Sequence, residues 1–270
     1  MIFAIIVSLI VIIFLYMRLE VSLLDTSLIN FSVSSKGLKI AHLSDIHINK
    51  LYISSKRIIN SLKQINPDIV IMSGDYIETQ KNIPEFLEFL KAIISIYPVY
   101  LSLGNHDHKA LYHDKNQIAT FIAAIQATGA IVLHNSSTKV EKNSVCYNLI
   151  GIDDLKHGKP DLKKAFKDIT PSLGGNCINI AFSHNPDMLL DLPQDKVDYF
   201  LCGHFHGGQI WMPFHLEFKL MRKEKLCKMG YLRGLHKLNG INMYINRGLG
   251  NVIFPFRLFS KPEIAVIQLP

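Results

Sequence analysis

Five short motifs carry side chains that bind divalent metals: Asp45-Ile46-His47, Gly74-Asp75, Gly104-Asn105-His106-Asp107, Ser183-His184 and Gly203-His204-Phe205-His206. Each follows an apolar run of strand character. With His106 and Asp107 set aside, the ligand stock is Asp45, His47, Asp75, Asn105, His184, His204 and His206. Carboxylates, imidazoles and one neutral amide suit two divalent ions sharing a bridging carboxylate, the arrangement that attacks phosphate esters. Asp45 and His47 stand two apart, so both can face one ion with His206. Asp75 can bridge through its two oxygens, while Asn105, His184 and His204 complete the second ion. An uncharged amide ligand keeps the pair electrophilic. Gly74, Gly104 and Gly203 are expected to turn the backbone tightly beneath the ligands, and Gly207 and Gly208 to leave room for a substrate.

Strands and helices alternate around these motifs. The pattern predicts strands over 38–43, 69–72, 99–103, 145–150, 178–182, 199–201, 241–246 and 263–269. It predicts helices over 54–65, 84–96, 116–128 and 161–168, with Pro84 at a helix start and Gly129 at a helix stop. The 270 residues suffice for one α/β domain with a full core, spanning 38–270. Two sheets packed face to face with helices outside give an α/β four-layer α/β/β/α sandwich. Ligands in such folds collect at the carboxyl ends of strands, where the motifs fall.

Residues 1–17 are apolar apart from Ser8 and would reach roughly 25 Å as a helix, slightly short of a hydrocarbon core. No basic residue precedes the run and no small-residue cleavage site follows it, which reads as an uncleaved transmembrane anchor. Residues 18–37 read as a connector. Arg18, Lys36 and Lys39 all follow the span, so the positive-inside rule places the body in the cytoplasm, on the inner membrane. The four cysteines, Cys146, Cys177, Cys202 and Cys227, form no C-x-x-C pair. They read as reduced, packing as small hydrophobes.

The formal net charge is +7, which favours anionic partners. Residues 212–237 hold +5 of it, interleaved with Phe214, Phe218 and Met221 at helical spacing. Such a segment suits an anionic membrane surface or the phosphates and acyl chains of a lipid. Arg222 and Lys223 there, and Arg247 beyond it, are the candidate substrate contacts; Arg257 and Lys261 are further candidates for a second phosphate. Basic-plus-aromatic composition also fits single-stranded nucleic acid, which the apolar leader disfavours. Asp153, Asp154 and His157 read as surface loop.

The motifs D-x-H, G-D, G-N-H-D, an intervening His and G-H-x-H resemble the calcineurin-like metallophosphoesterase family over residues 38 to 268. The longer strings Ser183-His184-Asn185-Pro186-Asp187, Gly203 to Gln209, Arg247-Gly248-Leu249-Gly250 and Pro262-Glu263-Ile264 are similar to a bacterial, membrane-linked branch of the YaeI, YkuE and LpxG type. The resemblance implies that Asp45, His47 and His206 hold one metal, that Asn105, His184 and His204 hold the other, and that Asp75 bridges. It implies His106 as the catalytic histidine and Asp107 as the carboxylate that orients it. Cofactors in the family are manganese, iron or zinc, and the N/O ligand set fits any of them, manganese first. The implied activity is metal-hydroxide attack on a phosphodiester or pyrophosphate, with UDP-2,3-diacylglucosamine of the lipid A pathway as leading substrate. The alternatives are a broad phosphodiesterase acting on soluble or cell-wall substrates and, remotely, a non-catalytic binding module.

Overall fold

Alternate residues of the inner strands face different apolar layers, as the two-residue period of a strand requires. In a computed structural model that describes residues 1–32, 36–112, 116–169 and 177–270, Ile40, Ile71, Ile180, Phe182 and Leu201 fill the layer between two sheets. Ala41, Leu43, Val70 and Met72 point the other way, under helices. On the far side Ala181, Phe200 and Cys202 bury a third layer. Strands apolar on both faces belong to the interior of an α/β fold.

The strands are β1 (Asp25–Asn30), β2 (Lys39–Leu43), β3 (Ile69–Met72), β4 (Val99–Leu101), β5 (Ile131–Val132), β6 (Ser136–Lys142), β7 (Val145–Gly151), β8 (Cys177–Phe182), β9 (Tyr199–Cys202), β10 (Gly234–Leu238), β11 (Ile241–Ile245) and β12 (Glu263–Gln268). One sheet runs β1-β12-β2-β3-β4-β5 and the other β10-β11-β9-β8-β7-β6. In the first, β2 to β5 are mutually parallel and β12 is antiparallel to β2. In the second, β11, β9, β8 and β7 are parallel and the edges β10 and β6 antiparallel. The helices are α1 (Ile2–Glu20), α2 (Ser55–Ile65), α3 (Ile83–Ile94), α4 (Asn105–Ala110), α5 (Gln117–Gln126), α6 (Leu162–Ala165), α7 (Leu216–Met221) and α8 (Lys225–Lys228). Ser54 starts α2 by accepting a hydrogen bond from the Arg57 N–H, and Asn66 ends it in the left-handed region. The expected α/β four-layer sandwich is what forms.

Local differences have local causes. The stretch read as a connector contains β1, which pairs in parallel with β12 from Asp25↔Glu263 to Asn30↔Gln268. It is a half-exposed edge strand of mixed polarity, and such strands leave little hydrophobic signature. α1 continues past the apolar run to Glu20, whose carboxylate accepts from the Phe259 and Ser260 N–H groups. α1 is long and apolar enough to cross a membrane, and none of its apolar window is buried.

Two cysteine readings part company. Cys202 and Cys227 are free and buried, as expected. Cys146 and Cys177 are instead joined in a disulfide. They lie directly opposite each other on the parallel strands β7 and β8, 31 residues apart in sequence, so no local spacing announces them.

Candidate metal centre

The carboxyl ends of β2, β3, β4, β8 and β9 converge, and each delivers one motif. The Asp45 N–H donates to the Gly74 carbonyl, the Gly203 N–H to the His184 carbonyl, and the His204 N–H to Asp45 Oδ2. Asp45, His47, Asp75, His204 and His206 all adopt positive φ, between 38° and 72°. Non-glycine residues rarely hold this conformation, and clusters of it mark functional sites. Here it turns successive side chains of each loop into one pocket.

Among the described residues three groups could hold a metal: Asp45 with His47 and His206, Asp75 with His184 and His204, and His47 again with Glu78 and His106. His206 Nε2 lies 3.0 Å from Asp45 Oδ1, and His184 Nε2 lies 3.0 Å from Asp75 Oδ2. The groups interlock, because His47 Nε2 is 3.7 Å from Asp75 Oδ2 and His184 Nε2 is 3.7 Å from Asp45 Oδ1. His47 Nε2 and Asn105 Oδ1 are buried with no hydrogen-bond partner. Orphaned donor-set atoms beside two buried carboxylates fit a pair of divalent ions. Six of the seven predicted ligand residues fall in these groups, and the seventh, Asn105, is buried with its amide oxygen unpartnered.

The charges are mutually dependent. Burial works against ionised Asp45, yet His206, His184 and His47 hold its carboxyl well below the usual range. Burial likewise opposes the charged form of His184, and Asp75 and Asp45 overcome it, lifting the imidazole to about 10. His206 goes the other way, down to about 4, because burial outweighs Asp45.

Glycines beneath the site act chiefly by leaving space. A Cβ on Gly104 would strike the Asp75 carboxylate, and one on Gly203 would strike Ser44 and Asp45. The room beside Gly207 is filled by Ser260 and Arg247, whereas Gly208 lines the cleft beside Glu217 and Phe218.

The carboxylate beside His106 is not Asp107. Asp107 accepts from the backbone N–H groups of Gly104, Asp75, Tyr76 and Ile77. It ties the second motif to the third, and burial, then Asp75, push its carboxyl up to about 6. Glu78 takes the orienting place, with Oε2 3.1 Å from His106 Nδ1 and Oε1 2.8 Å from His47 Nδ1. Its only advance sign was its place three residues after Asp75. Glu224 is a second omission: its Oε1 stands 2.9 Å from His204 Nε2. Asp153 and Asp154, read as surface loop, are buried. Asp153 receives His108 of α4 at 2.6 Å and so braces the motif that carries Asn105.

A cleft of about 550 Å³ opens over the centre. Asp75, Glu78, His106, His204 and His206 line one end, and Ile210, Phe218, Met221, Val252, Ile253 and Phe254 form an apolar wall. The basic insert folds as α7 and α8, not as one amphipathic helix. Phe214 lies in the turn before α7, and Asp187 caps α8 by accepting from Lys225 and Leu226 N–H. Arg222 lines the cleft and donates to the His204 carbonyl at 2.7 Å. Lys223 is exposed and outside the cleft wall. Arg247 is engaged elsewhere, 2.7 Å from Asp25 and 3.1 Å from Glu263, and so stands corrected as a substrate contact. Arg257 is fully buried and donates to the carbonyls of Arg247, Gly248, Gly250 and Ser260, a structural duty.

Interlocked ligand groups at the meeting edge of two sheets are the architecture of a dinuclear phosphoesterase. The family model for calcineurin-like phosphoesterases matches residues 38–208, and the chain belongs to that family. The chain is 30% identical over 239 residues to the uncharacterized metallophosphoesterase YkoQ of Bacillus subtilis, covering 87% of this chain and 84% of that protein. It is 27% identical to the phosphodiesterase YaeI of Escherichia coli, covering 88% and 84% respectively. To the UDP-2,3-diacylglucosamine pyrophosphatase LpxG of Chlamydia trachomatis it is 27% identical over 310 residues, covering 93% and 91%.

Proposed function

We propose that this phosphoesterase is membrane-anchored and cleaves a lipid-linked pyrophosphate of the UDP-2,3-diacylglucosamine class. The observation that carries the reading is the cleft, which joins ionic ligands to an apolar wall in one continuous surface. Phosphates would meet the first and acyl chains the second. The relation to LpxG points to the same substrate, and α1 supplies an anchor.

Asp45, His47 and His206 would hold one ion, and Asn105, His184 and His204 the other, with Asp75 between them. Two divalent ions held there, for which manganese is the first candidate and iron or zinc the others, would supply Lewis-acid polarisation of the phosphate and a more acidic water. His106 keeps its ring fixed through Nδ1 on Glu78 and gives a proton to the leaving oxygen from the cleft side. Burial disfavours its charged form, but Glu78 and Asp75 overcome this and raise its pKa, which favours the proton-bearing form. Arg222 offers a guanidinium to a phosphate at the mouth. The decisive assay is full-length protein in detergent with manganese, offered UDP-diacylglucosamine, a soluble diester and a monoester in parallel. Preferred release of UMP supports the reading; turnover of the soluble diester with no release of UMP overturns it.

A second reading, a broader phosphodiesterase with soluble or cell-wall substrates, is favoured by the Cys146–Cys177 bridge. Disulfides persist in oxidising compartments, whereas the lysine and arginine bias favours a cytoplasmic body. Labelling intact cells with an impermeant thiol reagent, after a Lys237→Cys substitution at an exposed position, decides the side. Counting thiols in unreduced, denatured protein adds a check: two per chain means the bridge forms, and four means it does not.

A further inference from the structure

Ile253, Phe254 and Phe259 expose 62%, 61% and 60% of their surface, all on the loop 252–260. Ile253 and Phe259 also sit at φ 57° and 53°. A β-branched residue at positive φ is a conformational outlier, and an exposed apolar side chain gains nothing from water. The loop is not loose. Gln209, three residues after the end of the G-H-x-H motif, donates to the Val252 and Phe254 carbonyls and accepts from the Val252 N–H. The backbone is therefore held in an unfavourable shape that presents oily side chains outward.

The neighbour of this loop supplies the explanation. The Phe14 ring of α1 lies 4.7 Å from Phe256, and the Arg257 N–H donates to the Met17 carbonyl. Arg18, the first charge after the apolar run, donates to the Pro255 carbonyl at 3.2 Å. That residue marks where α1 leaves the hydrocarbon. Phe256 packs one turn further in, about 6 Å deeper along the helix. The loop thus reaches below the level of the first charge.

We propose that this loop is a lip that enters the same membrane leaflet as the end of α1, beside the cleft whose wall Ile253 and Phe254 form. The cleft then opens toward lipid, and acyl chains pass from the leaflet along these two residues to the metal ligands. The occupant is a phospholipid bilayer, argued from continuity with α1. The inference rests on the proposed anchoring of α1 and deepens it by naming the entry route.

Trp211, the chain's single tryptophan, reports on the lip, because its ring lies 5.9 Å from Phe259. Full-length protein is placed in phosphatidylethanolamine–phosphatidylglycerol vesicles whose acyl chains carry bromine near the glycerol. Trp211 fluorescence should be quenched, and the Ile253→Asp, Phe254→Asp double variant should lose most of that quenching while staying vesicle-bound with its metal content intact. Ile253→Ser with Phe254→Ser should raise KM for vesicle-embedded substrate about tenfold or more. Unquenched Trp211, or quenching equal in the double variant, overturns the lip. Quenching without hydrolysis of the lipid-linked pyrophosphate overturns the substrate reading and leaves the lip standing.

Discussion

Glu78 binds two imidazoles at once: Oε2 stands 3.1 Å from Nδ1 of His106 and Oε1 stands 2.8 Å from Nδ1 of His47. One carboxylate thereby orients both the proposed proton donor and a metal-binding histidine. Burial opposes its charge, yet bonds from His106 and His47 hold it far below the ordinary glutamate range, so it is ionised whenever the enzyme works.

Glu78→Gln should lower kcat about 10- to 100-fold. The sign of the pH effect follows from the partner. Glu78 raises the His106 pKa, and a proton donor is lost as pH rises through its pKa. Without the charge, that pKa falls, so the basic limb of the kcat profile should move to lower pH. A profile that keeps its basic limb would remove His106 from the role of acid.

Asp75 reaches both ligand groups, and its loss should be felt by both. Asp75→Ala is expected to abolish hydrolysis and strip metal together, as read by elemental analysis of the purified variant. Retention of two ions per chain with full turnover would end the dinuclear account. Gly104→Ala should disturb the same residue without deleting it, because the new methyl would meet both the Asp75 carboxylate and its backbone nitrogen.

The grouping of six candidate ligand residues was legible in the sequence because short motifs after apolar strands carry side-chain type and local order together. The layers were legible for the same reason: Ile40 and Ala41, or Phe182 and Ala181, separate by strand period alone. Contacts made across the fold were not. Asp107 follows His106 in sequence, but α4 turns its carboxylate back onto four N–H groups, while Glu78 arrives from another loop. Arg247 looked like a phosphate ligand until β1, too polar to announce itself, brought Asp25 to it. Cys146 and Cys177 meet only through the register of β7 and β8. Helical periodicity in the insert was broken by Phe214 at positive φ, which no spacing rule foresees.

Glu224 belongs to the insert, yet its carboxylate sits 2.9 Å from Nε2 of His204, whose Nδ1 faces His184 at 3.2 Å. It fixes which nitrogen carries the proton and leaves the other for a metal. Glu224→Gln should weaken manganese affinity about 10- to 100-fold in calorimetric titration, without unfolding the chain. Replacing Lys225, which is exposed nearby, should leave affinity unchanged. Equal affinity in wild type and Glu224→Gln would make the insert a cover with no hold on the metal.

His42 provides a pH test of stability just beneath the candidate ligands, linked to Asp45 through Ser73 and Ser44. Its ring is fully buried, with Nε2 2.9 Å from Ser73 Oγ, and burial pushes its pKa down to about 4 against the pull of Glu263 and Asp45. An unfolded chain would bind that proton near pH 6.5. Between those values the unfolded state holds more protons, so this contribution is complete above 6.5 and drains away as pH falls toward 4. At about 1.4 kcal/mol per unit it is worth roughly 3 kcal/mol. Urea unfolding of metal-free protein across this range should show the loss in wild type, and His42→Gln, which cannot take up the proton, should show a shallower slope. Parallel slopes would mean that His42 titrates in the fold as it does in water.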